Sequence, residues 1–362
     1  MHDKIKGMKS IKSTDYQVHF QERSYQALKD YLKENFCSRV FVLVDSNTRR
    51  HCLGPFLRKA DLEGKVEILE IPAGEKHKNL ETCTGIWTEL SDRGGDRKSV
   101  LINLGGGVVT DMGGFVASCF KRGIRFINVP TTLLSMVDAS VGSKTGVDLG
   151  VLKNQIGLFS KPEMVLIDME FLVTVPEREM RSGLAEIIKY GYTFDEGLWK
   201  EIKNFDGIDL KNITPLVHRS VEIKNDVVLS DLHETGLRKT LNFGHTAGHA
   251  IESYFLEQEQ KSDLTHGEAI AAGMVIELYY SHRSLGLPLK IAEELKEFVK
   301  RFYGPIDLRE SDYDPIIELM AFDKKNVSGR INFVLLDRME HCQIDRQLDP
   351  GLIREGFGFF SE

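Results

Sequence analysis

Short apolar segments alternate with helical patterns through the first half of the chain. Each segment is bounded by charged residues or glycine, which is typical of strands buried on both faces of a parallel sheet. The predicted strands are Val40–Val44, Val66–Ile71, Ser99–Leu104, Phe126–Val129 and Met164–Ile167. This alternation predicts an α/β domain with a mostly parallel, Rossmann-like sheet and helices on both of its faces.

The pattern changes at about residue 175, after which most of the chain has helical periodicity. Lys290–Tyr303 has the spacing of an amphipathic helix with a solvated charged face, and a hairpin is predicted around Arg330–Leu335. We therefore predict two domains, an α/β domain at residues 1–175 and a mainly α-helical domain at residues 176–362.

The overall charge narrows the class of partner. The chain has 362 residues and a net charge of −7, which disfavours nucleic acid or an anionic membrane as a partner. Its five cysteines are scattered and form no C-x-x-C pair, which indicates a reducing compartment. The polar N-terminal segment does not have the apolar core of a secretion signal, and no apolar segment approaches membrane-spanning length. We expect a cytoplasmic protein that binds neither nucleic acid nor membrane.

A glycine turn follows the third predicted strand. Gly105-Gly106-Gly107 lies between Ser99–Leu104 and a helical pattern at Val108–Phe120. In a strand–glycine–helix arrangement, backbone N–H groups and the helix dipole face a phosphate group. A tight turn without a ligand has the same signature, so the glycines alone leave both interpretations open. Gly113 and Gly114 inside the helix indicate close packing or binding at that point.

Hydroxyl and cationic side chains follow the glycine turn. Thr131 and Thr132 come at the end of the next strand, the edge at which open α/β sheets bind ligands. Arg122, Lys144 and Lys153 are surrounded by glycine and serine, and no acidic side chain adjoins them in the sequence. We expect these cations to form an anion site, although a solvated loop is the more common explanation for scattered lysines.

The second half of the chain contains a set of metal-ligating side chains. Glu186 and Lys189 lie three residues apart on one face of a predicted helix. His245 and His249 lie four apart, and His266 begins another apolar helix. One carboxylate and two imidazoles form a catalytic divalent-metal set with an open fourth position. The spacing leaves open whether His245 or His249 joins His266, and it does not separate zinc from other borderline metals.

Four segments together resemble the 3-dehydroquinate synthases, which are sugar-phosphate cyclases of the shikimate pathway. They are Gly105–Phe159, Ser182–Gly191, Leu241–His249 and His266–Glu268. The resemblance runs in register from about Asp45 to Lys325, which is most of the chain.

The resemblance implies an NAD-dependent lyase that contains zinc or cobalt and forms a homodimer. Its substrate would be 3-deoxy-D-arabino-heptulosonate 7-phosphate. Transient oxidation by NAD, phosphate elimination, re-reduction, ring opening and an intramolecular aldol step would give 3-dehydroquinate. Residues 1–175 would bind NAD, residues 176–362 would bind metal and substrate, and the active site would lie in the cleft between them.

The resemblance also implies individual roles. The metal ligands are Glu186, His245 and His266. Arg122 serves the substrate phosphate from the partner subunit, and Asp138 lies near the reacting hydroxyls. The other predicted catalytic residues are Lys144, Asn154, Lys189, Lys224, Arg238, Asn242, His249 and Lys324, the last from an Asp323-Lys324-Lys325 motif in which Lys325 is the alternative contact. The predicted cofactor residues are Asp45, Asn47, Glu75, Lys78, Gly106, Gly107, Val108, Val109, Thr110, Asp111, Thr131, Thr132, Lys144, Lys153, Phe171, Leu172, Val173 and Thr174.

Several positions depart from the pattern of the family. Ser143 and Thr110 stand where many members have glycine, and residues 148–152 replace a common Asn-His-Pro-Leu-Gly stretch. These departures leave a sister cyclase acting on another sugar phosphate as one alternative. A metal-dependent alcohol or glycerol dehydrogenase is the second, and a non-catalytic NAD-binding relic is the third. The cations at Arg122, Lys144, Lys153, Lys189 and Arg238 argue against a dehydrogenase, because an uncharged polyol would leave them uncompensated.

Overall fold

The computed structural model describes residues 8–150, 152–321 and 330–362. They form two compact units. The first comprises the described residues up to Pro176 together with Asp209–Leu229, and the second comprises Glu177–Ile208 with the described residues from Ser230 to Glu362. The assignment of residues 1–175 to NAD and residues 176–362 to metal and substrate stays a prediction.

The described residues contain the following regular elements. The strands are β1 Ile11–Lys12, β2 Gln17–Phe20, β3 Val40–Asp45, β4 Glu67–Ile71, β5 Val100–Gly105, β6 Arg125–Pro130, β7 Lys144–Leu149, β8 Leu152–Phe159, β9 Met164–Ile167, β10 Phe333–Arg338 and β11 His341–Arg346. The longer helices are α1 Glu22–Glu34, α2 Gly54–Ala60, α3 Leu80–Asp92, α4 Gly107–Cys119, α5 Glu177–Thr193, α6 Glu196–Ile202, α7 Leu210–Ser230, α8 His245–Glu257, α9 His266–Leu285, α10 Leu289–Phe302, α11 Glu310–Met320 and α12 Pro350–Ser361.

A seven-stranded sheet is the centre of the first unit. Its strand order is β1-β2-β9-β6-β5-β3-β4, and every pair except β1–β2 is parallel. All six residues of β5 are buried, as expected of a central strand covered on both faces. The five predicted strands correspond to β3, β4, β5, β6 and β9, so the predicted α/β architecture with a mostly parallel sheet is confirmed.

Close packing explains the two glycines inside α4. A Cβ atom at Gly113 would lie 2.0 Å from Oδ1 of Asn103 on β5, and one at Gly114 would lie 2.5 Å from Cγ2 of Thr145 on β7. Neither position accepts a side chain, so α4 can lie directly against its neighbouring strands. The cost of glycine in a helix is offset here by contact with the sheet.

The β7–β8 hairpin was not predicted from the sequence. Lys144 and Lys153 were interpreted only as part of an anion site, with a solvated loop as the alternative, and glycine and polar residues are depleted in strands. The glycines are required by the pairing itself. Gly146 and Gly157 are cross-strand partners, and a Cβ atom at Gly157 would lie 2.3 Å from the carbonyl oxygen of Thr145. Backbone contact therefore outweighs strand propensity at this position.

Three helices of the second unit approach each other closely. A Cβ atom at Gly273 on α9 would lie 2.0 Å from the carbonyl oxygen of Gly244, which directly precedes α8. One at Gly267 would lie 2.1 Å from the carbonyl oxygen of Ser182 on α5. Because these positions have no side chain, α5, α8 and α9 converge at the start of α8 and α9. The predicted metal ligands lie on these three helices.

Two further predictions concern the second unit. The amphipathic segment predicted at Lys290–Tyr303 is α10, whose apolar face is buried. The hairpin predicted around Arg330–Leu335 is β10–β11, which begins slightly later, at Phe333. Both are confirmed as element types, and helices dominate this unit as predicted.

Candidate active site

Glu186 and Lys189 form a fully buried ion pair on α5. Their side chains are 0% and 1% exposed, respectively, and Lys189 Nζ donates a hydrogen bond to Glu186 Oε2. Burial alone would raise the pKa of Glu186, but the charge of Lys189 and the contacts with His245 and His266 outweigh burial and hold the pKa well below its usual value. Glu186 is therefore an ionised carboxylate, the form that ligates a cation.

Two histidines present a ring nitrogen to the other oxygen of this carboxylate. His245 Nε2 lies 3.3 Å and His266 Nε2 lies 3.4 Å from Glu186 Oε1. The ligand atoms of Glu186, His245 and His266 all lie within 4.8 Å of one another. Their spacing suits a single ion.

Hydrogen bonds at the far nitrogens define how the two rings are oriented. His245 Nδ1 lies 3.0 Å from the carbonyl oxygen of Phe243, and His266 Nδ1 lies 3.2 Å from Glu252 Oε2. Both partners only accept, so each Nδ1 is the donor and each Nε2 can direct a lone pair at the Glu186 carboxylate. Burial lowers the pKa of His245, which favours the neutral ring that a metal needs.

These three side chains fit a divalent metal. Glu186 Oε1 is buried and has no hydrogen-bond partner. Without an ion, this oxygen would have a donor only if one of the rings were protonated. Burial would lower the pKa of His266, but its hydrogen bonds to Glu186 and Glu252 raise it to about 10. A cation satisfies all three atoms at once, and carboxylate with imidazole is a donor set suited to zinc or cobalt.

His249 lies one turn further along α8. Its ring is 5.1 Å from the ring of His245 and 5.8 Å from that of His266, measured between centroids. It lies outside the group whose ligand atoms converge. The convergence of ligand atoms favours His245 over His249 in the alternative that the spacing left open, and the choice of ligand stays a prediction.

Arg238 and Asn242 lie on a short 3₁₀ turn, Leu237–Asn242, that precedes α8. Arg238 is 2% exposed and donates to the carbonyl oxygen of Leu232 over 2.7 Å. Asn242 donates to Glu234 Oε1 over 2.7 Å. Asp231 accepts from the backbone N–H groups of Gly236 and Arg238. One aspartate therefore holds the loop that carries the predicted substrate arginine.

In the first unit, the glycine turn has the predicted geometry. Gly106 is the N-cap of α4 and supplies no side-chain hydrogen bond to the first turn of the helix. A Cβ atom at Gly107 would meet Ala139 only at 3.5 Å, an ordinary contact distance. The start of α4 is half-buried and has no capping side chain on its first turn, which fits a pyrophosphate held by backbone N–H groups. Thr131 and Thr132 follow β6 at the same edge of the sheet.

Lys78 forms the most deeply buried cationic contact on the predicted NAD side. It is 4% exposed and donates to Asp111 Oδ2 over 2.7 Å and to Asn154 Oδ1 over 2.6 Å. Lys153 pairs with Glu75 over 3.0 Å. Burial alone would lower the pKa of Lys78, but the carboxylates of Asp111 and Glu75 raise it above its ordinary value. Lys78 is therefore a permanently charged link between α4 and the β7–β8 hairpin.

Three cations differ in how they are placed. Lys224, on α7, donates to Asp138 Oδ1 over 2.6 Å, and both residues belong to the first unit. Arg122 is exposed and lines an open cavity of about 730 Å³, whose lining also contains cations such as Arg97 and Lys161 and the carboxylates of Glu34 and Glu163. Lys144 begins β7 and is exposed.

The remaining predicted cofactor positions have varied surroundings. Asp45 caps the turn Ser46–Thr48 by accepting from Thr48 N over 2.8 Å, and Asn47 is exposed. Phe171–Thr174 belongs to the 3₁₀ turn Met169–Thr174, in which Val173 is 71% exposed and Phe171 and Leu172 are buried. Any contact from those two residues would therefore be through the backbone.

The structure corrects the expectation that the cations lack acidic partners. Lys189 pairs with Glu186, and Lys153 pairs with Glu75. The pair of Lys153 and Glu75 could not be predicted because the two residues are far apart in the chain. The three-residue spacing of Glu186 and Lys189 was interpreted only as placing both side chains on one face of the helix. Charge compensation is therefore weaker evidence against a dehydrogenase than it was taken to be. The predicted Lys324 lies outside the described residues.

Sequence reasoning missed three carboxylates that position the site. They are Asp231 at the Arg238 loop, Glu252 at His266, and Glu277, whose carboxylate accepts from the N–H groups of Gly244, Thr246 and Ala247. Glu252 could have been found, because it lies seven residues after His245 and therefore two helical turns along the same face. Nothing in the local sequence marks Glu277.

Two family models match most of the chain. The model described as 3-dehydroquinate synthase N-terminal matches residues 68–182, and the one described as 3-dehydroquinate synthase C-terminal matches residues 183–326. A 3-dehydroquinate synthase from Parabacteroides distasonis is 42% identical over 92% of this chain and 95% of its own length. This chain belongs to the 3-dehydroquinate synthase family. The resemblance seen in the sequence is thereby confirmed, and the family ranks above the dehydrogenase alternative.

Solved structures extend the comparison to the sister cyclases. A 2-epi-5-epi-valiolone synthase from Streptomyces hygroscopicus, with NAD⁺ and Zn²⁺ bound, is 25% identical, with a TM-score of 0.83 over 98% of this chain and 99% of that chain. A 2-deoxy-scyllo-inosose synthase in complex with carbaglucose-6-phosphate, NAD⁺ and Co²⁺ is 22% identical, with a TM-score of 0.82 over 96% of this chain and 99% of that one. The second likeness shows the shared fold alone.

Among the described residues of this 3-dehydroquinate synthase family member, none of the helices has both the length and the apolar character of a membrane span.

Proposed function

We propose that this chain converts 3-deoxy-D-arabino-heptulosonate 7-phosphate to 3-dehydroquinate and phosphate, using NAD⁺ and Zn²⁺ or Co²⁺. The observation that carries the proposal is the convergence of Glu186, His245 and His266 within 4.8 Å in a chain that belongs to this family. NAD⁺ and a divalent metal are bound by a sister cyclase that is 25% identical over nearly the whole chain, which supports the same cofactors here.

Each unit contributes a separate part of the chemistry. When bound, the nicotinamide would accept and return a hydride, and the metal would acidify the hydroxyl on the carbon from which that hydride leaves. Glu186, His245 and His266 would hold the metal. The start of α4 at Gly106 and Gly107 would hold the pyrophosphate.

The remaining side chains orient the substrate and compensate its charge. Lys189 lies against Glu186, so its ammonium can donate to a hydroxyl held beside the metal. Lys224 donates a hydrogen bond to Asp138 Oδ1, which fixes the position of the aspartate. Arg238 has its backbone fixed by Asp231 and would bind an anionic group of the substrate.

Phosphate release on a small panel of substrates tests the proposal. The heptulosonate 7-phosphate should release phosphate with catalytic NAD⁺ and with little accumulation of NADH. Glucose 6-phosphate, the sugar that carbaglucose-6-phosphate imitates, should release none. Release from glucose 6-phosphate alone would instead assign a sister cyclase activity, and stoichiometric NADH from glycerol would assign a dehydrogenase.

We further propose a homodimer in which Arg122 serves the partner's site. Arg122 follows the C-terminal end of α4, whereas the predicted pyrophosphate site is at the N-terminal end of that helix. The 13 residues of α4 span about 20 Å at 1.5 Å per residue, so Arg122 does not reach the start of its own helix. An exposed guanidinium beside an open cavity is suited to a phosphate brought by a second copy.

Arg122→Ala should lower kcat/KM by about two to three decades, or roughly 2–4 kcal/mol, because one charge-assisted contact to the phosphate is lost. Lys121→Ala, which removes the neighbouring exposed cation, is the matched control and should change little. Mixing Arg122→Ala with Lys144→Ala should restore part of the activity, since a mixed dimer has one site without either change. Near-wild-type turnover by Arg122→Ala would contradict the phosphate role. No recovery after verified subunit exchange would contradict only the placement across subunits.

A further inference from the structure

The two histidines of the proposed metal site are held in different ways. His245 donates from Nδ1 to the carbonyl oxygen of Phe243, a backbone atom two residues earlier. His266 donates from Nδ1 to the side chain of Glu252, on another helix. Backbone geometry therefore orients one ring, whereas the orientation of the other depends on a single carboxylate.

Glu252 is built into this position. It is 9% exposed, and it lies on α8 in the second unit, two turns after His245. Its Oε2 is 3.2 Å from His266 Nδ1, while His266 Nε2 on the opposite side of the ring is 3.4 Å from Glu186 Oε1. The imidazole of His266 thus connects two carboxylates, one facing the proposed metal and one behind the ring.

His266 is the ligand that most needs such support. Its side chain is 26% exposed, compared with 10% for His245 and 0% for Glu186. It is also the first residue of α9, where few helical contacts restrict its rotamer. A hydrogen bond from a carboxylate fixes the tautomer and orientation of a ligating imidazole and raises its basicity as a ligand.

We propose that Glu252 is a positioning residue that orients His266 towards the metal and strengthens metal binding without touching the substrate. This inference rests on the proposed function, because it takes Glu186, His245 and His266 as metal ligands. Glu252 lies on α8 and is not itself a proposed ligand, so metal affinity would depend on a residue outside the ligand set.

The test measures metal affinity directly, without turnover. Metal-free wild type, Glu252→Ala and Glu252→Gln are titrated with Zn²⁺ in competition with a chromophoric chelator. We expect Glu252→Ala to bind Zn²⁺ about 10–100-fold more weakly, the usual effect of removing a partner behind a ligating histidine. Glu252→Gln should lie between Glu252→Ala and wild type, since an amide oxygen still accepts from Nδ1 but has no charge. Glu257→Ala removes an exposed carboxylate from the end of the same helix and should leave the affinity unchanged.

Two further measurements separate positioning from catalysis and from misfolding. At saturating Zn²⁺ the kcat of Glu252→Gln should be close to that of wild type, whereas a catalytic residue would lose kcat at any metal concentration. The visible absorption spectrum of the Co²⁺-substituted protein should change in Glu252→Gln, because the ring of His266 shifts. Should Glu252→Ala not fold, the Glu252→Gln and Glu257→Gln pair gives the same comparison.

The outcomes are distinct. Unchanged Zn²⁺ affinity in Glu252→Gln and Glu252→Ala would overturn the inference, as would a loss of kcat with intact affinity. Failure of wild type to bind Zn²⁺ or Co²⁺ would instead refute the metal site of the proposed function.

Discussion

Replacement of Lys78 by methionine should destabilise the first unit strongly. Methionine keeps the length of the apolar stem but removes the ammonium that bridges Asp111 and Asn154. Breaking a buried ion pair by removing one partner costs about 3–5 kcal/mol, because the remaining charge is left without compensation. The Asp111 side chain is 18% exposed, so we expect the lower end, about 3 kcal/mol. Lys153→Met is the matched control. Glu75, the partner of Lys153, is 40% exposed, so this change should cost at most about 1 kcal/mol.

The two tryptophans allow this loss to be measured in one unit. Trp87 lies on α3 in the first unit, and Trp199 lies on α6 in the second. In a Trp199→Phe background, urea unfolding followed by fluorescence therefore reports on the first unit through Trp87. The double variant Lys78→Met/Asp111→Asn should be more stable than the sum of the single changes predicts, since it leaves no uncompensated charge.

The pH dependence of Lys78→Met follows from Asp111. Burial raises the pKa of Asp111, and the charge of Lys78 opposes that rise in wild type. Without Lys78, folded Asp111 binds a proton more tightly than unfolded Asp111 does, so stability falls as pH rises. The deficit relative to wild type should therefore be larger at about pH 8 than at about pH 5. A Lys78→Met variant no less stable than Lys153→Met, or a deficit independent of pH, would refute this reasoning.

Three further changes test other parts of the structure. Gly107→Ala should leave the fold intact, because its Cβ would meet Ala139 only at 3.5 Å, but it should weaken NAD⁺ binding about tenfold or more by crowding the helix N-terminus. Calorimetry measures the NAD⁺ affinity, and an unchanged Kd would exclude the turn as the pyrophosphate site. Glu186→Gln should weaken Zn²⁺ binding by more than about 100-fold, which is more than the loss expected when a residue that hydrogen-bonds to a ligand is removed. Competition with a chelator measures the Zn²⁺ affinity, and an affinity equal to that of wild type would exclude Glu186 as a ligand. Ser143→Gly should raise the free energy of unfolding by up to about 1 kcal/mol, because Ser143 has a left-handed φ of 63° and a buried hydroxyl without a partner. Urea unfolding checks the sign of this change in stability, and a destabilised variant would show that the serine makes a compensating contact.

The sheet and the group of candidate metal ligands could be predicted because their signals are local. A buried parallel strand is a continuous apolar segment, and β9 was predicted at Met164–Ile167, the range that the structure has. His245 and His266 were marked by neighbouring glycines, and Glu186 by its helical spacing from Lys189. The departure at Ser143 also has a structural reason, since its left-handed backbone is the conformation that glycine adopts without strain.

The carboxylates around the site could not be predicted, because their partners are distant in sequence. Glu277 contacts the backbone of Gly244 and Thr246, more than thirty residues earlier. The β7–β8 hairpin was missed for a related reason. Gly146 and Gly157 lower its strand propensity when each is considered alone, and only their mutual contact explains them. Propensity describes single positions, whereas these features depend on pairs.

The position of helix α7 in the sequence affects when the first unit can fold during synthesis. It belongs to the first unit, although Glu177–Ile208 of the second unit precedes it in the chain. Its Asn225 donates to the carbonyl oxygen of Lys12, and its Lys224 donates to Asp138, so it contacts two widely separated parts of the first unit's sequence. During synthesis on the ribosome, the first unit cannot close when Pro176 emerges, and must wait until Leu229 has left the tunnel. A fragment cut at the apparent boundary near residue 176 would lack this helix and expose the apolar surface that Leu216, Val217 and Val221 would otherwise cover.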